Sequence, residues 1–153
     1  MENARIDSLI MTKAQLQTEL LRCEYCEEKP CREACPANCS PADFIMAARE
    51  GNISDIRRSA AEIMRANPLG GVCGMVCPDT LCVAACTRKK FDGAINIPLV
   101  QATIVEMAKQ LGGIPEFSRS KTNGIKVAVI GGGPAGLGAA ALLAQSGYQV
   151  DIF

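Results

Sequence analysis

Eight cysteines in two short arrays constrain this chain more than any other feature. The first array runs Cys23-Glu-Tyr-Cys26-Glu-Glu-Lys-Pro-Cys31-Arg-Glu-Ala-Cys35-Pro36, and the second places Cys73, Cys77-Pro78, Cys82 and Cys86. Two close cysteines, a third, and a fourth directly before proline is the form of bacterial iron–sulfur runs. A cubane cluster has four iron corners, each needing one external ligand, and thiolate is the usual one. Three cysteines in a tight loop wrap three corners. The fourth corner faces away and is better reached from distant sequence, and the cysteine before proline is often given to the other cluster. Two assignments are open on spacing alone. In the local one each array fills its own cluster. In the crossed one Cys23, Cys26, Cys31 and Cys86 hold one cluster, while Cys35, Cys77 and Cys82 hold the other.

Paired cysteines at short spacing also make zinc knuckles. A zinc-stabilised interaction module fused to a nucleotide-binding domain is therefore the alternative, and a docking fragment inert by itself is another. The bunching of four thiols per array and the placing of the prolines favour clusters. Cys39 has no array partner and reads as a small buried hydrophobe.

Composition narrows the function class. The chain has no histidine, which removes histidine-bearing zinc sites, thiol or hydroxyl nucleophiles paired with imidazole, and imidazole acid–base work. No catalytic acid, base or nucleophile is evident. The 16 Lys and Arg balance the 16 Asp and Glu, and tryptophan is absent; neither a basic footprint nor a stacking platform for nucleic acid is present. Residues 1 to 11 lack the charged, apolar and small-residue succession of a secretory leader. With nine cysteines, that fits thiols reserved for metal in the reducing cytoplasm.

Local signals predict helices around the arrays. Thr12 with Gln15 is a capping-box pattern, and Leu16 and Leu20 then share a face. Ser40-Pro41-Ala42-Asp43 opens a helix with Phe44, Ile45 and Ala48 as its apolar stripe, ending at Gly51. Ile53, Ile56, Ala60 and Ile63 mark the next, which stops at Asn67 before Pro68. Gly70-Gly71 is expected to let backbone approach a bulky cofactor. Cys82 and Cys86, like Cys31 and Cys35, are four apart, so one helical turn would set each pair on one face. Asn96-Ile97-Pro98 opens a further helix running to Gly112-Gly113. On it Gln101 lies among Ile97, Ile104, Val105 and Ala108, and an amide there needs a partner. Arg22, Arg32, Arg88, Lys89 and Lys90 flank the cysteines, either to offset cluster charge or as solvated surface.

Residues 113 to 124 have no periodicity and many turn formers, and read as a linker. Residues 127 to 144 approach the length of a membrane span. A β-branched start, three glycines and a proline, and an alanine-rich end divide them instead into strand and helix. Between the two lies Gly131-Gly132-Gly133-Pro134-Ala135-Gly136, in the strand-to-helix context that a dinucleotide fingerprint requires. Gly131 is expected to make the tight turn, Gly133 to let backbone reach a pyrophosphate, and Gly136, with Ala140, to keep helix close to strand. Pro134 and Ala135 open the helix whose amino terminus faces the phosphates. The ribose-binding acid is due about where the chain reaches Phe153, and a whole domain of this kind needs two larger halves. The segment is expected to be part of a longer protein.

The order Arg22-Cys-x2-Cys-x4-Cys-x3-Cys-Pro, then Asn67-Pro-Leu-Gly, Cys73-Gly-Met-Val-Cys77-Pro, Cys82-x3-Cys86 and Ile95-Asn-Ile with Gln101, resembles one family. It is the amino-terminal iron–sulfur domain of dihydropyrimidine dehydrogenase, shared with the small subunit of NADPH-dependent glutamate synthase. The resemblance implies crossed ligation, with Cys23, Cys26, Cys31 and Cys86 on the first 4Fe-4S cluster. It puts Cys35, Cys77, Cys82 and Gln101 on the second and leaves Cys73 a non-ligand. The glutamine at position 101 is the pyrimidine enzyme's choice, where glutamate synthase-type relatives tend to carry glutamate. The Cys77 to Cys82 gap is one residue shorter than in the mammalian enzyme. The resemblance further implies that the glycine fingerprint binds FAD, that NAD(P)H binds through a region missing from this chain, and that a partner subunit or carboxy-terminal domain accepts the electrons.

The expected architecture is thus mainly α. Residues 1–112 form a helical two-cluster, ferredoxin-like domain, 113–124 a linker, and 125–153 the first βαβ of a truncated Rossmann-type FAD domain.

Overall fold

The structure is a computed structural model that describes residues 9–113 and 117–153. Residues 1–8, most of the stretch read as lacking a leader, and residues 114–116 of the expected linker lie outside the described residues. The chain divides into two compact units, Met1–Pro115 and Glu116–Phe153.

The first unit is helical. Helix α1 (Lys13–Leu21) starts on the full capping box of Thr12 and Gln15 and buries Leu16 and Leu20. Helix α2 (Pro30–Glu33) is one short turn. Helix α3 (Pro41–Ala48) has proline in its first turn, and Phe44, Ile45 and Ala48 face inward as the pattern predicts. Helix α4 (Ile53–Ala66) is capped by the Asn52 side chain and ends at an extended Asn67. Its stripe is Ile56, Ala60 and Ile63; Ile53, expected on it, is 55% exposed. It shares that face by helical period but stands at the first helical position, where the core no longer covers it. Helices α5 (Gly70–Val76) and α6 (Cys82–Ala85) carry the second array, followed by a 3₁₀ turn at Thr87–Lys90. Helix α7 (Ile97–Gln110) is capped by Asn96 and runs through the centre of the unit.

The core of this unit is Leu20, Phe44, Ile45, Ile56, Ile63 and Ile104, all at most 1% exposed. Each such side chain contributes about 1.5–3 kcal/mol over leaving it in water. Two buried hydroxyls find backbone partners. Ser59 Oγ donates to Phe44 O at 2.6 Å, joining α4 to α3. Thr103 Oγ1 donates to Leu99 O at 2.7 Å and accepts from Met11 N at 3.0 Å.

Helix α5 packs on α7 through glycine. A Cβ at Gly74 would stand 2.6 Å from Ala102 N and 2.8 Å from Pro98 O, so only hydrogen fits between the two backbones. Gly70 and Gly71 serve the same purpose: their missing side chains face Ile63 and Val105. The expectation that this pair admits a cofactor is therefore corrected; the space is taken by protein.

The second unit is one strand–helix–strand turn. Strand β1 (Lys126–Val129) pairs in parallel with β2 (Gln149–Ile152), Val127 opposite Val150, and helix α8 (Pro134–Gln145) crosses between them. Ser120 N and Asn123 N donate to Gln145 O and Gly147 O, which fixes the approach to β1. The apolar run 127–144 is thus strand and helix. Among the described residues no helix is long and apolar enough to cross a membrane. The architecture is mainly α with the start of a Rossmann-type fold.

Candidate metal centre

The cysteines sit where helices end. Cys23 follows the last turn of α1, Cys31 is in α2, and Cys35 lies just past its end. Cys77 caps α5, where Pro78 disfavours further helix, and Cys82 opens α6. Cys86 leaves α6 in extended conformation, φ −63° and ψ 121°. The loop around the first array carries three non-glycine residues in left-handed conformation, Tyr25, Lys29 and Asn38. Such backbone persists only where its surroundings hold it. Lys29 is held by Asp43, at 2.7 Å, and by the Tyr25 ring beneath its ammonium at 4.6 Å.

Cys23, Cys26, Cys31 and Cys86 line one small cavity of roughly 30 Å³. Its other walls include Ala42, Ile45, Ile95 and Ile97. Cys86 comes to this cavity from the second array. Burial pushes the Cys23 and Cys31 thiols up, and the neighbouring sulfurs, Cys86 among them, add to it. The second group is Cys35, Cys77 and Cys82. Burial lifts Cys82 to about 11, followed by the effect of Cys35 and, more weakly, of Cys31 and Cys77. Cys77 is exposed, and its thiol is raised by partial desolvation, then by Cys73 and Cys35. Because Cys82 senses Cys31 as well as Cys35, the two sulfur groups are neighbours within one unit.

Each group therefore draws on both arrays. The expectation that Cys82 and Cys86, or Cys31 and Cys35, share a helix face is corrected. The helices α2 and α6 are four residues each, and they end before the second cysteine of either pair. One member goes to each group. Cys39, 4% exposed, is the buried thiol the sequence suggests, its pKa pushed up to about 12 by burial and then by Cys35 and Cys82.

The donor set suits a cluster. Four soft sulfurs around an apolar-walled hollow match the thiolate demand of a cubane. A single zinc needs its sulfurs about 3.8 Å apart, given Zn–S bonds of about 2.3 Å. Among the described residues no three such side chains close on one point tightly enough to hold a single ion.

Gln101 finds its partner in Gly70. Its Nε2 donates to Gly70 O at 2.6 Å. A carbonyl oxygen only accepts, so the amine end is fixed there and the amide oxygen is turned elsewhere. The structure thus sets Gln101 against backbone, while Cys73 is the thiol it sets beside Cys77.

Two features escape the sequence reading. Thr87 Oγ1 lies 3.0 Å from Cys26 Sγ, across 61 residues of chain. Arg22 and Arg88 do not lie free: both bind Asp92, and Arg88 also binds Glu24. The Arg88–Asp92 spacing of i to i+4 is a readable pair; the Thr87 contact has no local signal.

In the second unit Gly131 has φ +105° and its N–H donates to Phe153 O at 2.7 Å. A Cβ at Gly136 would fall on the Gly131 carbonyl oxygen, with Val129 Cγ1 at 3.3 Å. Gly133 is the N-cap of α8, Pro134 and Ala135 its first residues, and nothing lies within 4 Å of where a Gly133 Cβ would stand. Ala140 is the one buried residue of the helix.

Comparison with known proteins accords with this geometry. Residues 2–112 match the family model described as dihydropyrimidine dehydrogenase domain II, 4Fe-4S cluster. Residues 129–153 match that of an NAD(P)-binding Rossmann-like domain. Over 135 residues the chain is 43% identical to the putative oxidoreductase UacF of Escherichia coli K12, covering 86% of this chain and 20% of that protein. It is 41% identical over 137 residues to the NAD-dependent dihydropyrimidine dehydrogenase subunit PreT of the same organism, covering 88% and 32%. It is 35% identical over 144 residues to that organism's glutamate synthase [NADPH] small chain, covering 93% and 30%. The chain thus spans between a fifth and a third of the length of these relatives. It belongs to the dihydropyrimidine dehydrogenase domain II 4Fe-4S cluster family and continues into the opening strands and helix of a Rossmann-like nucleotide fold.

Proposed function

We propose that this chain is the electron-transfer module of an NAD(P)H-dependent oxidoreductase and carries two 4Fe-4S clusters. Cys23, Cys26, Cys31 and Cys86 would hold the first, and Cys35, Cys77, Cys82 and Gln101 the second. When bound, the clusters supply one-electron chemistry. The protein's own part is to cage them, exclude water from the first site with the apolar wall of Ile45, Ile95 and Ile97, and keep the two sulfur groups adjacent.

The observation that carries this reading is the crossing of the arrays: Cys86 lines the cavity of Cys23, Cys26 and Cys31, while Cys35 stands with Cys77 and Cys82. Residues 1–112 would be the cluster domain, 113–124 the linker, and 125–153 the start of a flavin domain. There the open approach to Gly133 and the amino terminus of α8 suit the pyrophosphate of FAD. Electrons would enter from NAD(P)H through a region beyond these residues, pass by way of FAD to the clusters, and leave to a partner subunit or domain. Two of the relatives are named as a subunit and a small chain, which supports a partner. Those two names differ in nicotinamide and in reaction, so the acceptor is open to either chemistry.

Anaerobic purification of the complete protein, with iron and sulfide analysis and electron paramagnetic resonance, is the test. About eight irons and eight sulfides per chain are expected for two cubanes. A colourless protein carrying zinc would overturn the reading.

A further inference from the structure

Thr87 directly follows Cys86, yet its hydroxyl reaches the sulfur of Cys26, at 3.0 Å. Both residues line the first cavity, on opposite arms of the chain. On the reading of Cys26 as a cluster ligand, its sulfur is a thiolate and has no proton to give. The hydroxyl must then be the donor. A hydrogen bond to a cluster thiolate draws off negative charge. Reduction adds negative charge, so the donor favours the reduced cluster and raises its potential.

We infer that Thr87 sets the reduction potential of the first cluster through its hydroxyl bond to Cys26. The position is well suited to this. The 3₁₀ turn at Thr87–Lys90 begins on this residue, and the cap residue before it is Cys86 itself. One short segment therefore supplies both a ligand and a donor to the same site. On the proposed ligand sets the neutral Gln101 acts on the potential of the second cluster and the hydroxyl donor on that of the first, and their balance biases where an electron rests.

The experiment uses the complete, cluster-loaded protein and its Thr87→Val and Thr87→Ser variants. Valine keeps the shape and removes the donor; serine keeps the donor and removes a methyl. Midpoint potentials are read by redox titration followed by electron paramagnetic resonance. Thr87→Val is expected to lower the midpoint of one cluster only, and Thr87→Ser to restore it. An unshifted midpoint in an iron-replete Thr87→Val protein overturns the inference and leaves the cluster reading standing. A wild-type protein without iron instead overturns the cluster reading. Should Thr87→Val fail to retain its cluster, Thr87→Ala decides by the same titration: a lowered midpoint supports the hydroxyl's part, and an unchanged one removes it.

Discussion

Asp92 accepts from Arg88 through both carboxylate oxygens, Nε to Oδ1 at 2.7 Å and Nη2 to Oδ2 at 2.9 Å. Arg22 joins the same carboxylate at 3.3 Å and the neighbouring Gly93 carbonyl at 2.5 Å. Arg22 stands next to Cys23, and Arg88 two residues past Cys86. The clasp therefore pins the segment after Cys86 to the mouth of the first array. Exposed ion pairs add little to global stability, so its effect falls on how firmly the Cys86 arm closes the site.

Asp92→Asn is accordingly expected to change the melting temperature little but to speed chelator-driven bleaching of one cluster several-fold. Arg88 and then Arg22 hold the Asp92 carboxyl well below the usual carboxylate range. A depressed carboxyl contributes fully above its unfolded value of about 3.9 and is lost only as pH falls through its lower folded value. The ratio of bleaching rates between variant and wild type should thus be flat from about pH 6 to 9. A ratio that moves across that range, or no difference in rate, would count against the clasp.

On the proposed reading, Gln101 and Cys73 are the two candidates for the fourth corner of a second cluster. The hydrogen bond to Gly70 takes up the Gln101 NH2 group and leaves its amide oxygen turned from that carbonyl. Gln101→Ala should alter the resonance of one cluster and cost about 1 kcal/mol for the lost hydrogen bond. Cys73→Ala should leave both clusters in place. The opposite pattern in iron content would assign the corner to the thiol that already stands beside Cys77.

Gly74 tests the seat of helix α5. A Cβ there meets only backbone, Ala102 N at 2.6 Å and Pro98 O at 2.8 Å, and backbone of a central helix cannot step aside. Gly74→Ala is expected to cost about 1–3 kcal/mol, the usual toll of overpacking. Gly71→Ala meets the Val105 side chain at 3.1 Å, which can turn, and should cost less. Thermal unfolding of the two cluster-loaded variants ranks them; equal losses would mean that α5 is free to shift.

What the residues foretold was local. Thr12 and Gln15 close their capping box because both partners lie three residues apart, and Leu16 and Leu20 follow from helical period. The helix end at Asn67 follows from Pro68. The failures all needed tertiary knowledge. Cys82 and Cys86 part company because α6 ends at Ala85, a boundary no spacing rule supplies. Gly70 and Gly71 looked like room for a cofactor and proved to be room for Ile63 and Val105. Which cysteine serves which group is left open by spacing, and the crossed set is what the resemblance implies; the structure puts Cys86 in the cavity of Cys23, Cys26 and Cys31, and Cys35 near Cys82 and Cys77.

The glycine turn of the second unit separates a glycine the fold needs from one a ligand would need. At Gly136 a methyl group would strike the Gly131 carbonyl, so Gly136→Ala should disrupt the strand–helix turn and lose both fold and nucleotide. At Gly133 the backbone has φ −74°, which any residue adopts, and nothing lies within 4 Å of where a methyl group would stand. Alanine there leaves the protein's own contacts untouched. If a pyrophosphate lies against that backbone, however, the methyl stands in its way. Gly133→Ala in the complete protein should therefore keep its iron and its melting temperature in the nucleotide-free state while losing most of its bound flavin. Flavin absorbance after gel filtration, set beside iron content, reads the two effects apart. Full flavin retention in Gly133→Ala would move the dinucleotide away from this turn, and with it the point at which electrons enter.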